Sequence, residues 1–399
     1  MKIVFVSPFP PAQDGIGTYS QTIITALQAA GHEARVVLPS RQKPQSANVI
    51  GALSSRRSEL TMLRDTVMKW DPDIIHVQFA FAAFGAQTRA LFSWLSLMRA
   101  ATGIPVVVTM HEVTRETSSL RRPFRALYRD LATHCDHLIV HTRAALDTLT
   151  GPIAVPEAKC SVIPHPKPTP PRAISTPADL RARFSLDDKE LLVAFGFVHV
   201  EKGLDDLVRA LSIVRNSGEC RLDDVRLIVA GAVRPRHGLF RLFELRDHLH
   251  LARVLRIARR ARLYNNIVLT GWVPEADVAG WFQAAAAVVL PYRRTEQSGV
   301  AALANAFEVP VIASTAGGLG EQYAGSGWTF PPGDRLMLAE VLGRFLTTSS
   351  NERVPTRSDG HDSDLDAVIK ATLDLYQARH RAMDGLLQRK SLDAGFPGV

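Results

Sequence analysis

Short apolar runs alternate with segments of helical period along almost the whole chain, and this alternation leaves few possible folds. In the first part of the chain the apolar runs span residues 2–7, 34–38, 74–77, 106–110 and 137–141. Near-continuous apolar runs are typical of parallel strands, because helices cover both faces of a parallel sheet. This part of the chain therefore predicts a doubly wound α/β domain.

A proline-dense segment, PHPKPTPPRAISTP, interrupts the pattern and predicts an extended linker. Beyond it, apolar runs recur at residues 191–195, 225–230, 267–270, 288–290 and 309–313. We therefore expect a first domain, a linker, a second domain and a C-terminal helix that packs towards the first domain, at 1–165, 166–178, 179–360 and 361–399. Two doubly wound domains joined in this way would hold a ligand in a cleft, at the carboxyl ends of their strands.

The bulk properties predict a cytoplasmic protein. A chain of 399 residues is too long for one ordinary core. No apolar run approaches the ~20 residues that span a bilayer, and the apolar start is too short for a signal peptide. The three cysteines, Cys135, Cys160 and Cys220, lie far apart without metal-ligand spacing, which favours reduced thiols.

The net charge of +8 is concentrated in two arginine-rich segments. Nine arginines lie between Arg234 and Arg262, and five between Arg115 and Arg129. Such segments attract phosphates, nucleic acid or anionic lipid.

A glycine-containing loop follows the first predicted strand, in SPFPPAQDGIGTYSQTII. Gly15 and Gly17 would let the backbone approach a ligand, and a helix that begins near Thr18 would offer free N–H groups to an anion. The segment is not a dinucleotide fingerprint, because Ser20 stands where a third glycine belongs. An ordinary strand-to-helix turn explains the residues equally well.

One histidine directly follows a predicted strand, in VVVTMHEV. His111 would lie at the edge of the sheet where sites form, and its imidazole could bond a sugar hydroxyl. A lone histidine at a strand end more often has no ligand. His76, His141 and His165 have weaker indications, and no pair of them has metal-ligand spacing.

Two further helix starts suit phosphates. In VAFGFVHVEKGLDDLVRAL, Lys202 stands beside a helix that Gly203 opens, so ammonium and N–H groups together would hold a diphosphate. In RRTEQSGVAALANAF, the hydroxyl and backbone of Ser298, Gly299 and Val300 form a second such start, and Glu296 precedes them. A loop acid followed by a helix-capping serine is the alternative.

Taken in order, these motifs resemble the retaining glycosyltransferases of family 4. The resemblance covers nearly the whole chain and is strongest in GFVHVEKGLDDLVRAL, NNIVLTGWVPEADVAGWFQAAAAVVLPY, QSGVAALANAFEVPVIAS and AGGLGEQY. It implies the GT-B fold, in which two Rossmann-like domains face each other across a cleft. It also implies transfer of a hexose from a nucleoside diphosphate sugar, with no metal, no other cofactor and no nucleic-acid partner.

The resemblance implies a role for each matching position. His111 would touch the transferred sugar, Lys202 the diphosphate, and Glu296 the sugar hydroxyls. These are the catalytic candidates. The remaining donor-binding candidates are Gly15, Gly17, Val273, Ser298, Gly299 and Val300, with the Trp272–Val273 backbone at the nucleobase. Glu321 would serve the local fold.

Two positions depart from the family pattern. Many relatives have arginine directly after the glycine that matches Gly196, where this chain has Phe197, so one diphosphate cation is missing. The second of two family glutamates has no counterpart, whether counted from Glu296 or from the residue before it. The QSGV motif resembles a variant branch of the family, which predicts a working site.

The leading hypothesis is a transferase that acts on a carbohydrate or lipid-linked acceptor, in polysaccharide or glycolipid synthesis. A GT-B sugar-nucleotide epimerase is the enzymatic alternative, and a catalytically degenerate, partner-binding subunit is the non-enzymatic one. Donor hydrolysis with and without acceptors discriminates between them.

The arginine-rich segment after Arg234 predicts a helix over residues 239–263. Its apolar residues fall along one side: Leu239, Phe243, Leu251, Val254, Leu255 and Ala258. One interpretation is peripheral docking on the inner face of an anionic membrane, with the segment from Arg115 to Arg129 as a second contact. The alternative is that the apolar side packs on the second domain.

Overall fold

A computed structural model of the chain describes residues 1–11, 15–40, 46–113, 121–167, 170–218, 222–235, 241–296, 298–353 and 364–394. The chain divides into two units, Met1–Pro166 with Ser363–Val399, and Lys167–Asp362. Each contains one parallel sheet with helices packed on both faces. The predicted fold class, two Rossmann-like α/β domains, is therefore confirmed.

The first unit is built on a seven-stranded parallel sheet. Its strands are β1 (Lys2–Val6), β2 (Glu33–Leu38), β3 (Val49–Ala52), β4 (Ile74–Phe79), β5 (Val106–Met110), β6 (His137–Val140) and β7 (Cys160–Val162). Its helices are α1 (Gly15–Ala29), α2 (Arg57–Trp70), α3 (Phe81–Phe84), α4 (Thr88–Ala101), α5 (Arg121–Thr133), α6 (Arg143–Thr150) and the C-terminal helix α14 (Leu365–Ala394). The strand order is β3-β2-β1-β4-β5-β6-β7.

Successive residues of the central strands supply two separate cores, because neighbouring side chains of a strand point to opposite faces. Val4 and Val6 of β1 pack with α2 and α4, whereas Ile3 and Phe5 pack with α1 and α14. The strand is therefore apolar throughout, as a sheet covered on both faces requires.

The second unit repeats this plan with six parallel strands. They are β8 (Glu190–Phe195), β9 (Val225–Ala230), β10 (Ile267–Leu269), β11 (Ala287–Leu290), β12 (Val311–Ser314) and β13 (Thr329–Phe330). The helices are α7 (Pro177–Phe184), α8 (Leu204–Ser217), α9 (Arg241–Arg260), α10 (Glu275–Ala284), α11 (Gly299–Ala306), α12 (Gly318–Gln322) and α13 (Arg335–Thr347). The strand order is β10-β9-β8-β11-β12-β13.

In both sheets the order of strands reverses beside the first strand of the unit. β1 lies between β2 and β4, and β8 lies between β9 and β11. The loops that leave the two strands at such a point run in opposite directions, which opens a crevice at the carboxyl ends. This geometry places the segments after β1 and β8, and those after β4 and β11, where ligands bind in such sheets.

The C-terminal helix α14 completes the core of the first unit. Val368, Ile369 and Tyr376 are buried in the same cluster as Ile3 and Phe5 of the central strand. The Tyr376 hydroxyl also reaches the sheet from this helix, as described below.

Helix α9 corrects the predicted lipid-facing side of the arginine-rich helix. Val254 and Ala258 of that side are 1% and 0% exposed, and both belong to the core of the second unit. Leu239 and the side chain of Phe243 lie outside the described residues. The apolar side thus packs on its own unit. Within the described residues, no helix is long and apolar enough to cross a bilayer.

Two of the three cysteines are described, and both are free thiols. Burial raises the pKa of Cys135 to about 12 and that of the half-buried Cys160 to about 11. Neither is therefore a thiolate at neutral pH. Cys220 lies outside the described residues.

Candidate functional site

Three histidines gather at the carboxyl edge of the first sheet around one tyrosine of α1, and a fourth, His76, lies close by in β4. The ring centroid of Tyr19 lies 5.2 Å from that of His111, 5.5 Å from His141 and 4.7 Å from His165. His141 lies in turn 5.0 Å from His111 and 5.3 Å from His165. These residues follow neighbouring strands β5, β6 and β7, so the order of strands brings together histidines far apart in the sequence.

Hydrogen bonds fix the orientation of two of these rings. His111 Nε2 lies 2.8 Å from Gln78 Oε1, so Nε2 carries the proton and donates to the amide oxygen. His76 is held on both nitrogens, by Thr109 Oγ1 at 2.7 Å and by the Tyr376 hydroxyl at 2.5 Å. The α14 tyrosine thereby anchors the ring at the far end of the cluster.

Burial keeps three of these histidines, His76, His111 and His141, uncharged at neutral pH. Desolvation, together with the other histidines, lowers the pKa of His76 and of His141 to about 3, and lowers that of His111 well below its usual value. A neutral His111 with its proton on Nε2 leaves Nδ1 as a hydrogen-bond acceptor. In the described part of the chain, no group of three or more His, Cys, Asp or Glu is arranged to hold a metal ion.

The glycines after β1 do not form the predicted loop. Helix α1 already begins at Gly15, so Gly15 and Gly17 both belong to its first turn. A Cβ atom at Gly15 would meet nothing within 4 Å, and one at Gly17 would lie 3.5 Å from the backbone of Pro8. Ser20, at the place of the missing third glycine, bonds Ser7 Oγ at 2.6 Å and ties α1 to the end of β1.

In the second unit a glycine contact fixes the position of Lys202. Gly203 has φ = 65°, and a Cβ atom there would lie 1.9 Å from the Pro291 carbonyl oxygen. Only glycine allows this approach, which brings the turn Val200–Lys202 against the end of β11. The Lys202 ammonium lies 3.6 Å from the centroid of the Tyr292 ring, a cation–π contact.

Arg293 forms ion pairs with both aspartates at the start of α8, Asp205 and Asp206. Arg293 Nη2 lies 2.8 Å from Asp205 Oδ1, and Arg293 Nε lies 2.8 Å from Asp206 Oδ2. The main-chain N–H of Arg293 also donates to the Glu201 carbonyl at 2.8 Å. The aspartates therefore tie the β8–α8 loop to the segment after β11, and Arg293 is committed to them.

The opening of α11 lies beside the end of β8. Ser298 caps this helix and accepts a hydrogen bond from the Ala301 N–H at 3.2 Å, as the capping alternative predicts. Gly299 is exposed with nothing within 4 Å of its Cβ position. A Cβ atom on Gly196 would lie 3.7 Å from Val300 Cγ2, so the first turn of α11 faces the glycine that ends β8.

Glu296 is nearly buried, with 5% of its surface exposed. Its carbonyl oxygen accepts from the Gly318 N–H at 3.0 Å. Gly317, with φ = 52°, packs so tightly that a Cβ atom would lie 1.9 Å from the Thr295 carbonyl oxygen. The AGGLGEQY segment thus holds the Glu296 backbone in place, and Glu321 lies nearby in α12.

Three side chains from neighbouring strands meet at the position where the family arginine is missing. The rings of Phe197 and Trp272 have centroids 5.5 Å apart, and the Arg234 guanidinium lies 5.5 Å from the Phe197 centroid. Trp272 is 61% exposed, whereas Val273 beside it is buried. Arg234 is exposed and forms no ion pair with any described residue.

The sequence analysis did not identify Arg234 as a donor-binding residue, although the pairing of the segments that follow β8 and β9 places it beside Phe197. Val198, next to Phe197, bridges to Val233 in the parallel direction. The segment after β9, which contains Arg234, therefore runs beside the segment after β8, which contains Phe197; this can be read from the sequence only once the two strands are known to be adjacent.

Two family models match this chain, Glycosyltransferase Family 4 over residues 13–167 and Glycosyl transferases group 1 over residues 189–348. The chain is 26% identical over 308 residues to a D-inositol 3-phosphate glycosyltransferase of Xylanimonas cellulosilytica, a match that covers 71% of this chain and 68% of that protein.

Solved structures share the fold. The crystal structure of Anabaena HepE in complex with UDP and glucose is similar with a TM-score of 0.71 and 15% identity, over 95% of this chain and 100% of that one. Sucrose-phosphate synthase of Thermosynechococcus elongatus is similar with a TM-score of 0.66 and 18% identity, over 99% of this chain and 100% of that one. At these identities the likeness concerns the fold alone.

Proposed function

Because this chain is a glycosyltransferase of family 4 type with the GT-B fold, we propose that it transfers a hexose from a nucleoside diphosphate sugar with retention of anomeric configuration. The acceptor is a carbohydrate or a lipid-linked carbohydrate, in polysaccharide or glycolipid synthesis at the inner face of a membrane. No metal is required on this proposal, since cationic side chains and helix N-termini stabilise the leaving diphosphate.

The observation that carries the proposal is the arrangement of Lys202 and the opening of α11 at one edge of the second sheet. The contact of Gly203 with Pro291 fixes the lysine, and Gly196 faces the first turn of α11. Lys202 forms no ion pair with a described carboxylate, so its charge is available to a ligand. A free ammonium and an exposed helix start at the same edge suit a diphosphate.

Arg234 supplies the second cation that the sequence motif lacks. Its guanidinium lies over Phe197, at the end of the strand next to β8, and has no acidic partner among the described residues. Many relatives have an arginine at the position of Phe197. On this proposal Arg234, from the segment after the neighbouring strand β9, supplies the positive charge in its place. The exposed Trp272 beside Phe197 offers a flat apolar surface next to the Val273 backbone, which suits the nucleobase.

The sugar contacts rest on the family resemblance. His111 accepts a hydrogen bond from a sugar hydroxyl through Nδ1, which is consistent with a neutral ring whose Nε2 donates to Gln78. Glu296 orients the sugar hydroxyls from the segment before α11. UDP-glucose is the first donor to test, since HepE has been crystallised with UDP and glucose, and phosphorylated inositols are among the first acceptors.

The test combines nucleotide binding with transfer. A thermal-shift screen of UDP, GDP and ADP identifies the base, because a ligand at a hundred times its Kd adds ~2.7 kcal/mol to stability. Transfer from the matching sugar nucleotide is then measured with EDTA present, and NMR of the product gives the anomeric configuration. Transfer abolished by EDTA, or inversion, contradicts the corresponding part of the proposal.

Three variants test the site. Lys202→Ala and Arg234→Ala should each lower kcat/KM about tenfold to a hundredfold, since a charge-assisted contact contributes ~1.5–3 kcal/mol. The matched control is Arg335→Ala, which removes an exposed arginine of α13 in the same unit and should leave kcat/KM unchanged. An altered sugar without an acceptor would favour the epimerase. No nucleotide binding at all would favour the partner-binding subunit.

A further inference from the structure

The solvent-facing side of α9 carries an unusual row of exposed leucines. Leu242, Leu245 and Leu249 are 70%, 56% and 63% exposed. Their spacing of three and four residues places them on one side of the helix, above one another. The opposite side is the one that packs on the unit, through Val254 and Ala258. These leucines therefore contribute nothing to the core.

The same row continues as arginines. Three exposed arginines continue the line of leucines at the same spacing of three and four residues: Arg253, Arg256 and Arg260. None of the three forms an ion pair within the described residues, whereas Arg246 lies 3.8 Å from Asp247 and Arg259 lies over the Tyr264 ring. The row, here named the α9 stripe, is thus half apolar and half uncompensated positive charge. Its members are Leu242, Leu245, Leu249, Arg253, Arg256 and Arg260.

The chemistry of the α9 stripe selects its partner. The stripe of a second copy could cover the leucines but would not neutralise the arginines: arginines would face arginines if the two helices were parallel, and leucines or solvent if they were antiparallel. Nucleic acid would use the arginines but not three leucines in a row. The surface of an anionic membrane accepts both, because leucines enter the acyl boundary while guanidinium groups bind the phosphates of the headgroups.

We propose that the α9 stripe docks the second unit on an anionic membrane surface, with the helix lying in the plane of the interface. The proposal extends the membrane location given above by naming the surface that makes the contact. It is tested by binding and not by transfer, so that its failure leaves the proposed reaction untouched.

The experiment is co-sedimentation of the full chain with vesicles of phosphatidylcholine, alone or mixed with phosphatidylglycerol. The full chain should bind the mixed vesicles and not the neutral ones, and salt should weaken binding. Combined substitution of Arg253, Arg256 and Arg260 by glutamine should weaken binding roughly a hundredfold, since each basic residue contributes about a factor of five. Combined Leu242→Gln, Leu245→Gln and Leu249→Gln should weaken it by about a hundredfold or more, since the apolar surface of all three leucines would be buried in the acyl boundary.

A matched control separates the stripe from exposed apolar surface in general. Met62, Ile174 and Leu336 are 68%, 75% and 67% exposed but lie scattered over the two units. Their combined substitution by glutamine should leave vesicle binding unchanged. Equal binding to both kinds of vesicle, wild-type binding by the leucine variant, or equal loss in the control would each overturn the proposal. Nucleotide-induced thermal shifts, unchanged in every variant, report that the variants are folded.

Discussion

Replacing Gly203 by alanine tests whether the turn that carries Lys202 is held by a backbone contact. The glycine has φ = 65°, and its Cβ atom would lie 1.9 Å from the Pro291 carbonyl oxygen. Two effects therefore add in the variant, left-handed backbone strain and a collision of the new methyl group with the Pro291 carbonyl oxygen. Gly218, at the other end of the same helix α8, has φ = 72° but nothing within 4 Å of its Cβ position. Gly218→Ala is thus a control that carries the strain alone.

The magnitudes follow from the two geometries. Left-handed backbone costs an L-residue ~1–2 kcal/mol, which both variants share. The collision requires a shift of backbone by about 1 Å, and overpacking of this kind costs a further ~1–3 kcal/mol. A loss of 1 kcal/mol lowers Tm by about 2–4 °C in a unit of this size. Gly218→Ala should therefore lower Tm by about 2–8 °C, and Gly203→Ala by about 2–12 °C more.

Calorimetry measures the loss of Tm, and nucleotide titration measures separately whether the donor site is disturbed. Gly203→Ala should also bind the nucleoside diphosphate more weakly, because the displaced turn moves the ammonium, whereas Gly218→Ala should bind it as the wild type does. Equal losses of Tm in the two variants would refute the collision argument. An unchanged nucleotide Kd in a destabilised Gly203→Ala protein would remove Lys202 from the donor site.

Three further outcomes are expected. His76 and His141 have folded-state pKa values of about 3, below their unfolded values, so the unfolded chain takes up protons first as the pH falls. Stability should drop from pH 6.5 downwards, by ~2 kcal/mol for each of the two at pH 5, which urea unfolding at both pH values measures. Arg293→Met should cost ~3 kcal/mol in urea unfolding, because it strands two nearly buried aspartates, and a cost below ~1 kcal/mol would contradict the pairing. Glu296→Gln should reduce transfer while the Kd of the free nucleoside diphosphate stays the same, as titration calorimetry would record.

The sequence predicted the strands whose two faces are both buried, and it predicted the edge strand β10, but it missed the other three edge strands, β3, β7 and β13. Residues 106–110 are apolar except for Thr109, and the strand has these bounds. The edge strand β3 has four half-buried residues, and β7 ends on an exposed valine, so neither has the apolar signature of a covered strand. The start of α1 was also wrong, at Thr18 instead of Gly15, because glycine is a poor helix former by itself and packing decided otherwise.

The candidate site was predictable one element at a time but not as a group. Lys202 and Ser298 are identified by local helix starts, which a sequence displays directly. The gathering of His141 and His165 around Tyr19, and of Arg234 over Phe197, depends on which strands are neighbours. Strand order is a property of the whole sheet, and no spacing along the chain encodes it.

The place of α14 in the first unit has a consequence for synthesis on the ribosome. The core on one face of that unit contains Tyr376 as well as Phe5, and the tyrosine anchors His76. Roughly 200 residues, the whole second unit, are translated between the two parts of this core. At ~5–20 residues per second the first unit waits about 10–40 s for its last helix, with the α14-covered side of its sheet exposed meanwhile. The second unit, which is contiguous in sequence, is complete before the first one is.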